Sequence, residues 1–544
     1  MKLKRTILGP ILVALFAFVS GGWLLQRGVA SDRSEPDGRV LIEILERISR
    51  DYVDEERTDE IYRMAVEGLL RELGDPHTSY LSAEDYNRLR VQTTGEYGGL
   101  GIQIAERDGW ITILAPLPGT PAERAGLLAG DRIVAVEDQS TEGWTDQDAV
   151  DVLRGGIGEP VNVTIGRPGV DEPIDYRLVR AEIHVNSVRT AYMIEPEIGY
   201  AKLDLFSETS TSELRSAIDR LHAEGMRGMI LDLRANPGGL LDQGVSVSDL
   251  FMEPGDAIVE TRARNPRDNV TFRASRPEAF PGMPIVVLVD QYSASAAEIV
   301  AGALQDYDRA LVVGSPTFGK GSVQTLFALS GGNYLKMTTG KWYTPSGRSI
   351  QKDLDRNGDP MALLDEEART EDGTPAPEEA AVDTSTLEEF RTEGGRVVYG
   401  GGGIVPDMMV TNDTLTAAER QFFDEVSRAG NKYSDVIYRY AVDYVRQNPD
   451  LETNFAVTPQ MERELHDILV SEGIDVSIEQ LQGARRLVDS HLGNEIALAK
   501  WGQEGRAQRA NRSDRVIRTA IDLLRQAPTQ QDLFSMAQSR NGAN

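Results

Sequence analysis

The stretch over residues 284–322, PIVVLVDQYSASAAEIVAGALQDYDRALVVGSPTFGKGS, decides the fold class of this chain. Its pattern predicts a buried strand that ends at Asp290, a helix that begins near Ser295, and a second buried strand that ends at Gly314. Residues 184–350 repeat this alternation of apolar strands and helices. Because such alternation is typical of layered α/β structures, the sequence predicts an α/β core.

The end of this stretch imitates a phosphate-binding loop, because residues 314–320 have the pattern G-x-x-x-x-G-K. The residue after Lys320 is Gly321, where a phosphate loop needs a hydroxyl group for magnesium. The residues that follow are rich in Val, Thr, Phe and Tyr, and they predict strands and not a helix that faces phosphates. We therefore predict that Lys320 is not a nucleotide ligand and that the protein needs neither a nucleotide nor a metal ion.

The composition argues against several classes of protein. The chain has 544 residues, of which 40% are hydrophobic and 26% are charged, and its formal net charge is −29. Nucleic-acid binding requires basic patches, so this acidic balance argues against it. The chain has no cysteine, which excludes a disulfide framework and a thiolate zinc site.

Residues 1–30 predict an export signal or a membrane anchor. Three basic side chains among the first five residues precede an uncharged segment over 6–26, which has about the length of one membrane span. Because basic flanks stay in the cytoplasm, the rest of the chain is predicted to lie outside it, in the periplasm and anchored to the inner membrane. Gly28 and Ala30 offer a cleavage site, so a cleaved signal and an uncleaved anchor both remain open.

The whole chain divides into segments of different character. The predicted order is a signal or anchor segment over 1–30, a helical region over 36–93, a β-rich module over 95–183, an α/β core over 184–352 and 395–412, an acidic insertion over 353–394, and a C-terminal helical region over 413–544. The C-terminal helices have apolar faces that suit packing on the body of the protein or on another subunit, so a homo-oligomer remains open.

The acidic insertion carries many carboxylates and few apolar residues, which predicts a solvated, disordered segment. Its beginning at Asp353, DLDRNGD, imitates a calcium-binding loop. The twelfth position of that loop should be acidic and is Leu364, so calcium binding is not favoured.

A lysine is the better candidate for a general base. The chain has five histidines and no G-x-S-x-G elbow, so a serine–histidine arrangement has no support. A lysine can replace histidine as the base where burial disfavours its ammonium form. Lys320 lies among small and apolar residues after a predicted buried strand, which fits this role. The S-x-x-K pair of Ser349 and Lys352 runs into the acidic insertion and is not favoured.

Ser295 is the better candidate for a nucleophile, because it lies at a predicted strand-to-helix turn. The free backbone N–H groups and the dipole of that helix would stabilise an oxyanion, although a serine at this place can equally be an N-cap. A second loop, Asn236-Pro-Gly-Gly239, also follows a buried strand. Its glycines would let backbone amides approach a ligand, but a plain tight turn explains them equally well.

These motifs resemble those of the carboxyl-terminal processing (tail-specific) serine peptidases. The resemblance runs from about residue 40 to residue 412 through GDPHTSYL, the glycine loop, the serine and lysine motifs and GGGGIVPD, in the order of that family. It implies the following roles: Ser295 as nucleophile, Lys320 as general base, Gln324 as the side chain that orients the lysine, and an oxyanion hole made by the N–H of Ala296 with that of Gly238 or Gly239. Tyr292 and Ala297 stand where many members have Gly and Ser, but neither is a catalytic position.

The module over 95–183 resembles a PDZ domain. Its carboxylate-binding loop is matched by Gly99-Leu100-Gly101-Ile102, and GTPAERAGLLAGDRIVAVED matches the helix and strand that follow. Successive backbone amides make an anion nest, and the strand GIQIAE offers an edge to an extended peptide. The resemblance therefore implies that peptide C-termini bind here.

The sequence thus predicts an α/β multidomain protein: a serine peptidase core with an inserted PDZ domain, an N-terminal helical segment and a C-terminal helical region. The predicted activity is endopeptidase cleavage of proteins that are recognised through their free C-terminal tails, and an activating adaptor remains open as a further partner. The rival hypothesis is a non-catalytic PDZ adaptor on a peptidase fold. The presence of Ser295, Lys320 and Gln324 favours the enzyme.

Overall fold

The computed structural model describes residues 36–54, 57–352, 384–411 and 413–541. The predicted anchor over 1–30 and the calcium-like loop that begins at Asp353 lie outside these ranges. Within the described ranges, we find no helix with the length and apolar character that a membrane crossing requires. The chain forms two compact units, of which the first ends at Tyr80 and the second begins at Leu81.

The described part of the first unit contains two helices, as its apolar spacing predicts. Helix α1 spans Pro36–Asp51 and helix α2 spans Thr58–Leu73. Gly74 caps the C-terminus of helix α2, and its φ of 69° is in the left-handed region that glycine adopts at little cost. A short strand, β1, follows at Ser79–Leu81.

The second unit begins with helix α3 (Ala83–Thr94) and an antiparallel β module. Its elements are β2 Glu96–Gly99, β3 Ile102–Arg107, β4 Trp110–Pro116, α4 Pro121–Arg124, β5 Arg132–Val136, β6 Gln139–Ser140, α5 Asp146–Leu153, β7 Pro160–Gly166, β8 Ile174–Val179 and β9 Ala181–His184. The main sheet has the order β3-β4-β5-β7-β8, and β2 pairs with β9. Strand β3 therefore lies at an edge of the sheet, as peptide capture by strand addition requires.

The core that follows alternates strands and helices, which confirms the predicted α/β class. Its elements are β10 Thr190–Glu195, β11 Ile198–Lys202, α6 Ser210–Ala223, β12 Gly228–Asp232, α7 Leu241–Ser248, β13 Ala257–Ala263, β14 Val270–Arg273, β15 Ile285–Val289, α8 Ala296–Asp306, β16 Leu311–Gly314, β17 Ser322–Ala328, β18 Tyr334–Tyr343, β19 Glu388–Arg391, β20 Val397–Gly400 and β21 Met408–Met409. The central sheet has the order β10-β11-β12-β15-β16-β21. Within this sheet, the five strands that follow β10 run parallel to one another. A second, antiparallel set joins β14 to β13, β13 to β18 and β18 to β17.

The parallel strands of the central sheet are covered on both faces. Every residue of β12, β15 and β16 is buried, which is typical of strands between two layers of helices. Helices α6, α7 and α8 supply apolar side chains to one face, including Leu214, Val247 and Val300. The strand ends on the carboxyl side of this sheet carry the loops that hold the predicted site residues.

The other face is covered by C-terminal helices of the same chain. The C-terminal helices are α9 Ala417–Arg428, α10 Asn431–Gln447, α11 Pro459–Ser471, α12 Ile478–Gly483, α13 Arg485–Ser513, α14 Arg515–Gln526 and α15 Gln530–Asn541. Ile517 and Leu523 of α14 and Leu533 of α15 are fully buried in one cluster with Ile230 and Val286 of the sheet. Of the two packing partners that the sequence left open, α14 and α15 thus use the body of the protein.

Helices α9 to α13 have an apolar core of their own. One ion pair joins the first of these helices, α9, to the last, α13. Nε and Nη2 of Arg486 lie 2.8 and 2.9 Å from the two carboxylate oxygens of Glu419, whose side chain is 4% exposed. The hydrogen bonds from Arg486 lower the pKa of Glu419 to about 2, below its ordinary value of 4.5. At a pH above the ordinary pKa of Glu419, the ionised carboxylate therefore stabilises the folded state. This stabilisation is lost as the pH falls toward the pKa of about 2 that Glu419 has in the folded protein.

We expect Glu419→Gln to lower the free energy of unfolding by roughly 2 kcal/mol near neutral pH, because the charged hydrogen bonds are lost. Glutamine keeps the capping interaction with the N–H of Thr416, so the helix start is retained. Chemical unfolding of the variant and the wild type should give a difference that shrinks from about pH 6 toward about pH 3. A difference that does not change with pH would contradict this assignment.

Candidate active site

Ser295 lies at a sharp turn between β15 and α8. Its φ of 54° and ψ of −113° are unfavourable for a residue with a side chain, at a cost on the order of 1–3 kcal/mol. Neighbouring loops hold the turn, since Ala294 donates its N–H to the carbonyl of Asn236 at 2.9 Å and Phe318 donates to the carbonyl of Ser293 at 3.1 Å. Such strain at a strand-to-helix turn is common at functional sites.

The carboxylate of Glu298 joins the backbone of Ser295 to that of Lys320. Its Oε2 accepts a hydrogen bond from the N–H of Ser295 at 2.8 Å and another from the N–H of Lys320 at 2.9 Å. The two backbone nitrogens therefore meet at a single oxygen atom. The structure brings residues 295 and 320 together, although a whole helix and a strand separate them in the chain.

The second oxygen of Glu298 fixes the rest of the loop that carries Lys320. Oε1 accepts from the N–H of Gly319 at 2.7 Å and from Thr317 Oγ1 at 2.5 Å, and Thr317 Oγ1 accepts in turn from the N–H of Ile404 at 2.6 Å. The side chain of Glu298 is completely buried. Burial raises the pKa of Glu298, whereas these hydrogen bonds oppose that rise. Sequence reasoning missed this residue, although Ser295 and Glu298 match the S-x-x-E capping pattern.

The predicted glycine loop lies directly against Ser295. A Cβ atom on Gly238 would come within 2.6 Å of the carbonyl oxygen of Ala294 and within 2.7 Å of the Cβ of Ser295. The φ of Gly238 is 92° and that of Gly239 is 145°, so both positions require glycine. The predicted glycine loop and the predicted nucleophile are therefore in direct contact.

The hydrogen bonds of this loop distinguish its two glycines. The N–H of Gly238 donates to Asn236 Oδ1 at 2.8 Å, and Asn236 Nδ2 donates to the carbonyl of Leu203 at 2.7 Å. No described residue accepts a hydrogen bond from the N–H of Gly239 or from that of Ala296, which opens helix α8. These two N–H groups remain available to an oxyanion, so the geometry favours Gly239 over Gly238.

A strand follows Lys320, as the sequence predicts, where a phosphate-binding loop would lead into a helix. Strand β17 begins at Ser322, and Nε1 of Trp342 donates to the carbonyl of Lys320 at 3.1 Å. Gln324 lies on β17, and its Nε2 donates to Ser322 Oγ at 2.9 Å and to Thr338 Oγ1 at 3.4 Å. Its orientation of Lys320 stays a prediction.

The alternative pair of Ser349 and Lys352 lies in a segment without helical structure. Ser349 Oγ accepts from the N–H of Gln351 at 3.3 Å, and the N–H of Lys352 donates to the carbonyl of Gly319 at 3.1 Å. A serine–lysine pair of the S-x-x-K type needs the start of a helix, so the structure gives this pair no support.

The predicted carboxylate-binding loop connects β2 to the edge strand β3. Leu100 is 2% exposed, and its carbonyl accepts from the N–H of Ala122 at 3.0 Å. Gly101 has a φ of 74°, and a Cβ atom there would overlap the side chain of Thr120. The N–H groups of Leu100 and Gly101 have no acceptor among the described residues, which fits an anion nest.

Comparisons with known proteins identify the families of the α/β core and of the β-rich module. A sequence model described as peptidase family S41 matches residues 197–357, and one described as a PDZ domain matches residues 112–167. A carboxy-terminal-processing protease of Bartonella bacilliformis is 44% identical over 313 residues, which are 57% of this chain and 71% of that protein. The carboxy-terminal processing protease CtpA of Bacillus subtilis is 35% identical over 339 residues, which are 62% of this chain and 72% of that protein. Among solved structures, the photosystem II D1 C-terminal processing protease has a TM-score of 0.34 and 30% identity, over 59% of this chain and 93% of that chain.

Proposed function

Since the chain belongs to peptidase family S41, as a C-terminal processing serine peptidase with a PDZ domain, we propose that it cuts polypeptides with a dyad of Ser295 and Lys320. The observation that carries this proposal is the carboxylate of Glu298, whose Oε2 accepts from the backbone N–H groups of both residues. The strained backbone of Ser295 and the two unoccupied N–H groups beside it support the same assignment.

In the proposed acylation step, Ser295 Oγ attacks the carbonyl carbon of the scissile peptide bond. Unprotonated Lys320 Nζ accepts the hydroxyl proton as the new C–O bond forms. The carbonyl oxygen becomes an oxyanion, and the N–H groups of Ala296 and Gly239 donate hydrogen bonds to it. When the C–N bond breaks, the Lys320 ammonium returns this proton to the leaving amine.

Deacylation repeats the same proton transfers with water as the nucleophile. Lys320 accepts a proton from the water that attacks the ester carbonyl, and the oxyanion forms again at the same two N–H groups. The C–O bond to Ser295 then breaks, and the Lys320 ammonium protonates Oγ. The enzyme returns to its starting state with one peptide bond hydrolysed.

The PDZ domain is the proposed site for the substrate tail. The free N–H groups of the loop at Leu100 and Gly101 suit a terminal carboxylate, and the edge of β3 suits the extended chain before it. Captured in this way, a substrate is held at a high effective concentration near the peptidase core.

We expect a substrate whose C-terminal carboxylate is converted to an amide to be cut with a roughly tenfold lower kcat/KM, because it lacks the charge that the nest binds. The measurement compares initial rates for two peptides that differ only in this group. A Gly101→Val variant should lose the preference, since its side chain would overlap Thr120. Equal rates for both peptides with the wild type would refute tail recognition.

Export belongs to the same proposal. The basic flank and the uncharged segment over 6–26 support a location outside the cytoplasm, with that segment as the membrane anchor. Substrates would then be extracytoplasmic proteins with accessible C-terminal tails.

A non-catalytic PDZ adaptor is the rival, and mass spectrometry of an unstructured protein substrate separates the two. With the wild type, the proposal expects fragments that result from internal cleavage, and with Ser295→Ala it expects only the intact substrate. If both samples contain only the intact substrate while the tail still binds, the adaptor is correct.

A further inference from the structure

A network of buried charges lies at the base of the glycine loop. Arg234 follows β12, and its Nε and Nη2 lie 2.9 and 2.6 Å from the two carboxylate oxygens of Asp232. Asp232 is fully buried and also accepts a hydrogen bond from the hydroxyl of Tyr200 at 2.8 Å. Burial alone would raise the pKa of Asp232, but the Arg234 guanidinium outweighs it and holds this pKa below its ordinary value.

A second carboxylate reaches the same guanidinium from the C-terminal helical region. Nη1 of Arg234 lies 2.8 Å from Oδ2 of Asp514, although 280 positions separate the two residues in the chain. Asp514 connects α13 to α14, and its Oδ1 accepts from the N–H of Ile517 as the N-cap of α14. The side chains of Arg234 and Asp514 are only 14% and 18% exposed, so solvent screens their interaction weakly.

The backbone that this network holds leads directly to the proposed oxyanion donor. Ala235, the next residue, has a φ of 56°, which is unfavourable for a residue other than glycine. Its N–H donates to Asp290 Oδ1 at 2.9 Å, at the start of the turn that carries Ser295. A strained conformation of this kind persists only where neighbouring contacts enforce it. The hydrogen bond to Asp290 restrains the N–H of Ala235, and the contacts of Arg234 restrain the residue that precedes it.

We infer that Asp514 is a positioning residue for the peptidase reaction: its carboxylate fixes Arg234, and Arg234 fixes the backbone of residues 235–239, which supplies the Gly239 N–H to the oxyanion. This inference rests on the proposed function of Ser295 and of the glycine loop. It gives the C-terminal helical region a part in the chemistry, in addition to its part in covering the sheet.

The two oxygens of Asp514 allow its two roles to be separated. Asparagine is as good an N-cap as aspartate, so Asp514→Asn keeps the bond to Ile517 and removes the charge that holds Arg234. In this variant Arg234 keeps Asp232 as its partner, so the charge network is weakened but no carboxylate is left buried alone. The fold should therefore survive, while the loop loses one of its restraints.

We expect Asp514→Asn to lower kcat roughly tenfold and to change KM less than about twofold, because an oxyanion donor is displaced while substrate binding is not affected. Asp514→Glu should recover part of kcat, because it restores the charge. The matched control is Asp522→Asn, which removes a carboxylate that is 57% exposed on the same helix and should keep the kcat of the wild type. Thermal unfolding of each variant gives the folded fraction at the assay temperature.

Hydrogen–deuterium exchange provides a second readout that does not depend on turnover. The hydrogen-bonded amides of Ala235, Asn236 and Gly238 should exchange faster in Asp514→Asn than in the wild type and in Asp522→Asn. If the wild type is active, an unchanged kcat in Asp514→Asn would overturn the inference. An equal loss of kcat in Asp514→Asn and in the control Asp522→Asn would also overturn it. If the wild type shows no turnover that depends on Ser295, the proposed function fails, and unchanged exchange at Ala235, Asn236 and Gly238 would then overturn the inference separately.

Discussion

Replacement of Ser295 by alanine is expected to reduce peptide cleavage by about 10⁴-fold or more, because the attacking oxygen is lost. Alanine keeps the Cβ atom of serine, so the backbone strain at this turn is the same in both proteins. Initial rates with a fluorogenic peptide that has a free C-terminus give the ratio of kcat values. The control is Ser216→Ala, a serine on the exposed side of α6 whose Oγ contacts only the carbonyl of Ser212 among the described bonds.

The same variant separates catalysis from tail binding. Ser295→Ala should bind a tail peptide as tightly as the wild type does, because the PDZ loop at Leu100 and Gly101 is not altered. A variant that retains more than about 1% of the wild-type rate is incompatible with Ser295 as the nucleophile. Loss of both cleavage and tail binding would indicate a folding defect, and circular dichroism tests for that directly.

Lys320→Ala is expected to have an effect of similar size, about 10⁴-fold in kcat, because the proposed acceptor of the Ser295 proton is then removed. Its backbone N–H would still donate to Glu298, so the loop should keep its shape. The control is Lys341→Ala, which removes an exposed lysine from the neighbouring strand β18. Turnover that survives in Lys320→Ala while Lys341→Ala resembles the wild type would rule out Lys320 as the base.

The pH profile of the wild type gives a second test of this lysine. The ammonium form has no lone pair, so kcat should fall as the pH is lowered and Lys320 becomes protonated. The expected acid limb has a slope of one proton, and no loss of folded protein should accompany it. A rate that stays constant as the pH falls would mean that another group, or none, takes the serine proton.

The residues of the proposed dyad could be identified as candidates from the sequence because each stands in a local pattern. Ser295 follows a buried strand and opens a small-residue helix, and Lys320 follows the next strand, so the parallel topology brings them to the same edge of the sheet. Glu298 was visible as part of S-x-x-E, but a capping pattern does not reveal that the same carboxylate reaches another loop. Only the folded chain shows its bond to Lys320.

The contact of Asp514 with Arg234, on which its inferred role rests, had no local signal in the sequence. Asp514 stands 280 positions after Arg234, and an aspartate before a helix is explained sufficiently as an N-cap. Likewise, the apolar faces of the C-terminal helices predicted that they pack against something, but not that α14 and α15 cover the central sheet. Contacts of this range depend on the path of the whole chain, which periodicity does not encode.

The cover of the central sheet also bears on the time at which activity arises during synthesis. A ribosome that has released the chain through Lys320 has made the proposed nucleophile and the proposed base, but not α14, α15 or Asp514. The nascent polypeptide would expose one apolar face of β12, β15 and β16, and domains fold as units only when their parts are present. The proposed hydrolysis should therefore begin only after the chain through α15 is complete and has folded onto the sheet.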